Sequence, residues 1–93
     1  MNELYLFLVT NLKSEGKYDV YSSMVVVAIS PENAKTYHPT GTARAEGPTR
    51  KGWSSSTWVP ATEKALAQLQ VVPLGIAAAH MKPGVVLASY HAG

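Results

Sequence analysis

Ninety-three residues, 46% of them apolar and 15% charged, bound the chain to one small globular domain, too apolar for intrinsic disorder. Cysteine is absent, which excludes a disulfide framework and a thiolate metal site and fits a reducing compartment. Eight basic residues against six acidic ones, net +2 with neutral histidines, is a thinner excess than the basic stripe of a dedicated nucleic-acid binder.

No apolar run approaches the about 18 residues that a membrane span needs. Met1-Asn2-Glu3 lacks the basic start of a signal peptide. The expectation is one cytoplasmic domain over residues 1–93 with no membrane partner.

Residues 4–10, LYLFLVT, are continuously apolar, the pattern of a strand buried on both faces or lying centrally. Residues 11–17 contain Ser14, Glu15 and Gly16 and read as a hairpin loop. Residues 18–29, YDVYSSMVVVAI, are β-branched and aromatic, so a second strand pairs antiparallel with the first.

Residues 30–39, SPENAKTYHP, carry helix punctuation. Ser30 is an N-cap, Pro31 fits the first helical position, and Glu32 sits where an anion is favoured. Pro39 disfavours helical geometry at His38, so the spacing predicts about two turns ending there. Residues 40–57 hold three glycines, a proline and many hydroxyls without periodicity, and read as a long flexible loop.

A short helix is predicted over 60–68, opened by Pro60, with Ala61, Ala65, Leu66 and Leu69 at helical spacing. Residues 70–78 favour a strand, which Pro73 restricts to an edge or a bulge. Pro83-Gly84 marks a turn before a last strand over 85–90, whose Val85, Val86 and Leu87 suit a central or well-paired position. This order predicts an α+β fold: a small antiparallel sheet of about four strands, with one or two short helices on one face.

Candidate chemistry is thin. His38, His80 and His91 show no metal-ligand spacing, and no metal or cofactor is implied. The hydroxyl run Ser54 to Thr57 is not a nucleophile elbow. Residues 41–49, GTARAEGPT, fail as a phosphate loop, because five residues separate the glycines and Pro48 stands where a lysine is needed.

A looser anion site remains. Arg44, Arg50 and Lys51 supply charge, and arginine grips phosphate bidentately. Trp53 and Trp58 flank the hydroxyl run and offer stacking faces for a base. The competing reading is a solvated loop whose Trp58 belongs to the core. Tyr18, Tyr21, Tyr37 and Tyr90 suit either an interface or a half-buried sheet face.

YDVYSSMVVVAISPENAKTYHPTG, then WV, VVPLGIAAA and PGVVLASYHAG, together resemble a family of small proteins from tailed bacteriophages. Its members share a helix ending in H-P-x-G and a terminal G-V-V-x-A-S-[FY]-x-A-G. His91 stands where the family has asparagine, and residues 60–69 lengthen the segment after W-V. The family carries no established enzyme activity. The resemblance therefore implies a phage context, the cytoplasm of an infected bacterium, and no mechanism. Its matching positions suggest a common surface of Tyr18, Asp19, Ser23, His38, Trp58, Ser89 and Tyr90.

The leading expectation is a non-enzymatic accessory protein that counters host defence by sequestering a nucleotide-like signalling molecule. Arg44, Arg50, Lys51, Trp53 and Trp58 would line the site, at a homo-oligomer interface if the chain assembles, with Tyr18, Asp19, His38, Ser89 and Tyr90 around it. One alternative is an inhibitor that binds a host defence or takeover-target protein directly. The other is a small enzyme on a signal nucleotide, with His38 and His91 as the natural general bases.

Overall fold

The computed structural model describes residues 3–14, 20–41, 43–45 and 47–91. Four strands, β1 (Tyr5–Thr10), β2 (Val20–Ala28), β3 (Gln70–Ile76) and β4 (Gly84–His91), form one antiparallel sheet in the order β3-β1-β2-β4. Two short helices, α1 (Pro31–Ala34) and α2 (Glu63–Ala67), complete an α+β fold of the predicted class. Among the described residues, no helix is long and apolar enough to cross a membrane.

The continuous apolar run of β1 takes a central position, paired on one side with β2 and on the other with β3. Alternation sends Tyr5, Phe7 and Val9 to one face, opposite Ala28, Val26 and Met24 of β2. These residues, with Ala34, Tyr37, Trp58 and Leu69, make the core. Each large apolar side chain fully buried there contributes about 1.5–3 kcal/mol.

Pro73 acts as its chemistry requires. It lies on an edge strand, and the ladder shifts register beside it, between Leu6 and Phe7. Of the central or well-paired position expected for the last strand, the central alternative fails: β4 is the other edge, paired along its length with β2 alone. Its apolar residues divide between the two faces of the sheet. Val85 and Ala88 pack on the core, while Leu87 is 68% exposed.

Helix α1 is shorter than the spacing predicts. Ser30 caps it, its Oγ accepting from the Asn33 N–H at 3.1 Å. The helix ends at Ala34 because the chain turns extended at Tyr37 and bridges antiparallel to Arg44. Pro39 forbids the helical alternative at His38, and the Thr36 hydroxyl donates to the Asn33 carbonyl at 2.6 Å. Replacing Ser30 with alanine should cost about 1 kcal/mol in chemical denaturation, with an unchanged denaturant slope.

Residues 40–57 carry more structure than a bare loop. The Gly41 N–H donates to the His38 carbonyl at 2.8 Å, closing a β-turn with Pro39 at its second position. A 3-10 turn follows over Pro48–Gly52. Helix α2 starts after Pro60, with Thr62 as its cap accepting from the Ala65 N–H at 3.3 Å.

Candidate functional site

The H-P-T-G stretch carries His38, the one buried polar or charged residue among the described residues. The turn at Pro39 directs the His38 ring inward, where the residue is fully buried. Nε2 lies 2.8 Å from the Ser54 carbonyl oxygen, which only accepts, so Nε2 carries the proton. Nδ1 then accepts, from the Thr40 hydroxyl at 3.0 Å and the Thr40 N–H at 3.2 Å. Burial holds the His38 pKa below its ordinary value, opposed by the bond to Ser54. The neutral ring has both nitrogens committed within the protein.

Around it runs an aromatic row. Trp53 meets His38 edge-on at 5.0 Å between centroids, and Tyr21 approaches it at 6.4 Å. Tyr21 in turn packs on Tyr90 at 4.9 Å. The Trp53 Nε1 donates to the Val59 carbonyl at 2.7 Å, and the Tyr21 N–H donates to the Thr57 carbonyl at 2.9 Å. The row joins both ends of the 53–59 segment to the start of β2.

A separate cleft of about 640 Å³ opens between α1, the Pro48–Gly52 turn and α2. Glu32, Lys35 and Thr36 line one side, Arg50 another, and Thr62, Glu63 and Leu66 the third. Ala45, Ala61 and Ala67 give it small apolar walls. The Arg50 Nη2 donates to the Ala61 carbonyl at 3.1 Å, which ties the turn to the start of α2. Its volume lies in the range of small-molecule sites.

The residues singled out from sequence therefore disperse. Arg50 lines the cleft, and Lys51 is exposed outside its lining. Arg44 stacks 4.1 Å over the Tyr37 ring and donates from Nε and Nη2 to the Thr36 hydroxyl at 3.1 and 2.7 Å. Trp58 is core, 4% exposed. Trp53 meets His38 directly, and Tyr21 links His38 to Tyr90. Ser89 of β4 lies opposite Ser23 of β2, on the sheet face turned away from the core. Tyr18 and Asp19 lie outside the described residues, as do Glu15, Gly16 and Lys17 of the expected hairpin loop.

Sequence reasoning missed Lys35, Thr36, Thr62, Glu63 and Leu66 as cleft residues. Their only signal was the pair of capped helices, which says nothing of which faces meet. Comparison with protein-family models, curated proteins and solved structures finds no match to this chain.

Proposed function

We propose that the protein is a non-enzymatic phage accessory protein that sequesters a nucleotide-like signalling molecule of the infected bacterium. What supports this is the cleft between α1, the Pro48–Gly52 turn and α2, where Lys35 and Arg50 stand beside carboxylates and small apolar walls. Two cations suit a phosphate or pyrophosphate, and arginine grips it bidentately. Glu32 and Glu63 suit the hydroxyl and amino donors of a sugar and base. Leu66 and the alanines offer a flat apolar contact. The phage context rests on the H-P-x-G and terminal motifs. The role of His38 in this reading is to fix the loop that carries Arg44 and the 3-10 turn.

Titration calorimetry with cyclic nucleotides and ADP-ribose derivatives tests the reading. Binding is expected, weakened about ten- to hundredfold by Lys35→Ala or Arg50→Ala, as for loss of a hydrogen bond to a charged group. Absence of heat from every ligand would sink it. Binding untouched by both substitutions would move the site elsewhere.

A further inference from the structure

A separate recess, of about 310 Å³, lies where the 3-10 turn at Leu12–Ser14, residues 55–60 and the end of α2 meet. It shares no lining residue with the α1–α2 cleft. Trp58 and Leu69 are the buried part of its lining, and Val59 and Ala65 extend the apolar part. Asn11, Lys13, Ser55 and Gln68 supply the polar part.

The chemistry of that lining is one-sided. No carboxylate belongs to it, and Lys13 carries its one charge. Among the described residues the Lys13 ammonium has no ion-pair partner, and the side chains of Ser55 and Gln68 make no hydrogen bond. The Asn11 Oδ1, by contrast, already accepts from the Lys13 backbone N–H at 3.1 Å. Trp58 adds the most telling group. Its side chain is 4% exposed, and its indole N–H is buried with no acceptor among the described residues. The Trp53 indole, five residues earlier, donates to the Val59 carbonyl at 2.7 Å. A buried donor left unpaired is costly, and folded proteins nearly always satisfy such groups. The recess thus combines an ammonium, an orphaned indole N–H, a hydroxyl and a carboxamide with an apolar wall.

We infer that this recess binds a small organic carboxylate, its oxygens paired with the Lys13 ammonium and the Trp58 indole N–H, its carbon body against Val59, Ala65 and Leu69. An ionised carboxylate only accepts, with about four lone-pair positions, which answers a lining rich in uncommitted donors. One lysine balances its single charge, whereas a phosphate carries more charge at neutral pH and calls for a second cation. The apolar wall gives the carbon body its place, and the volume stands at the lower end of small-molecule sites. This site does not depend on the nucleotide reading of the α1–α2 cleft.

Proton–nitrogen correlation spectra read the site directly, with the Trp53 indole, already bonded to Val59, as an internal reference. Titration with sodium benzoate to about 20 mM should move the Trp58 indole signal downfield, and the Trp53 signal less. Benzamide, of the same shape without the charge, should bind at least about tenfold more weakly, and so should inorganic phosphate. Lys13→Ala should weaken benzoate binding about tenfold or more, with an unchanged circular dichroism spectrum because Lys13 is exposed. Trp58→Phe, read at the Leu69 backbone amide, should weaken it by a similar factor. Lys35→Ala, in the α1–α2 cleft, should leave it intact. A Trp58 signal that stays in place throughout the benzoate titration overturns the inference. So does benzamide or phosphate binding as tightly as benzoate, or a benzoate affinity that is unchanged in Lys13→Ala. Binding lost in Lys35→Ala overturns it as well, and places benzoate in the other cleft.

Discussion

Replacing His38 with alanine should destabilise the fold by about 3–5 kcal/mol. The side chain is fully buried and touches Trp53 and Tyr21, so truncation leaves a cavity. It also strands the Ser54 carbonyl and the Thr40 N–H, which bond to its two ring nitrogens. A domain of this size holds about 5–15 kcal/mol in total. Urea denaturation should therefore show a sharply lowered midpoint, and His38→Gln should recover part of the loss by keeping one polar contact. A change below about 1 kcal/mol would mean that the turn at Pro39 and the 53–59 segment do not depend on the ring.

The same residue sets a pH dependence. Its folded pKa lies below the ordinary 6.5, because burial disfavours the cation. A proton on Nδ1 would also face the Thr40 N–H, donor against donor. The unfolded chain thus binds the proton more readily than the folded one. Stability from this group is complete above pH 6.5 and falls as the pH drops from there through the folded pKa. The loss is at most about 1.4 kcal/mol per pH unit for one proton. Denaturation midpoints across this window should slope in the wild type and slope less in His38→Ala. Equal slopes would assign the dependence to other groups.

Trp58 is the second large case. It is 4% exposed and packs within the core against β1, β2 and Leu69. Trp58→Ala should cost about 3–5 kcal/mol. Its indole N–H, however, is buried with no acceptor among the described residues. Trp58→Phe removes that unsatisfied donor while keeping most of the apolar volume. It should cost under about 1.5 kcal/mol, because the desolvation relieved offsets the packing lost. Thermal unfolding of the two variants separates these terms. A phenylalanine variant as damaged as the alanine one would show that the N–H does find a partner.

Much of the fold could be read from local chemistry. The apolar run of residues 4–10 marked a strand buried on both faces or lying centrally, Pro73 marked an edge or a bulge, and Ser30 marked a helix start. Each of these depends on a few adjacent residues. The position of β4 did not follow, because Val85, Val86 and Leu87 look alike in sequence. Only the register tells that Val85 faces the core and Leu87 an open sheet face. The end of α1 was obscured by a tertiary bridge, Tyr37 with Arg44, that outcompetes a second helical turn. The cleft was illegible for a similar reason. Its walls come from 32–36, 45–50 and 61–67, and no motif spans them. The basic–aromatic loop looked like one site, yet its members face different neighbours: Arg44 the Tyr37 ring, Arg50 the Ala61 carbonyl, Trp53 the Val59 carbonyl.

The strand order bears finally on how the chain folds. Of the three strand pairs that share a ladder, only β1–β2 is joined by a short connection. Val72 pairs with Leu8 and Ala88 with Met24, each 64 residues away in sequence. Loop closure must be met before either edge strand gains its ladder, so folding should be slow for a domain this small, in the millisecond-to-second range. A β1–β2 hairpin formed early presents two unpaired edges until residues 70–91 arrive. Those edges are templates for any extended segment that reaches them first. Refolding yield should therefore fall with protein concentration more steeply than equilibrium stability alone would suggest.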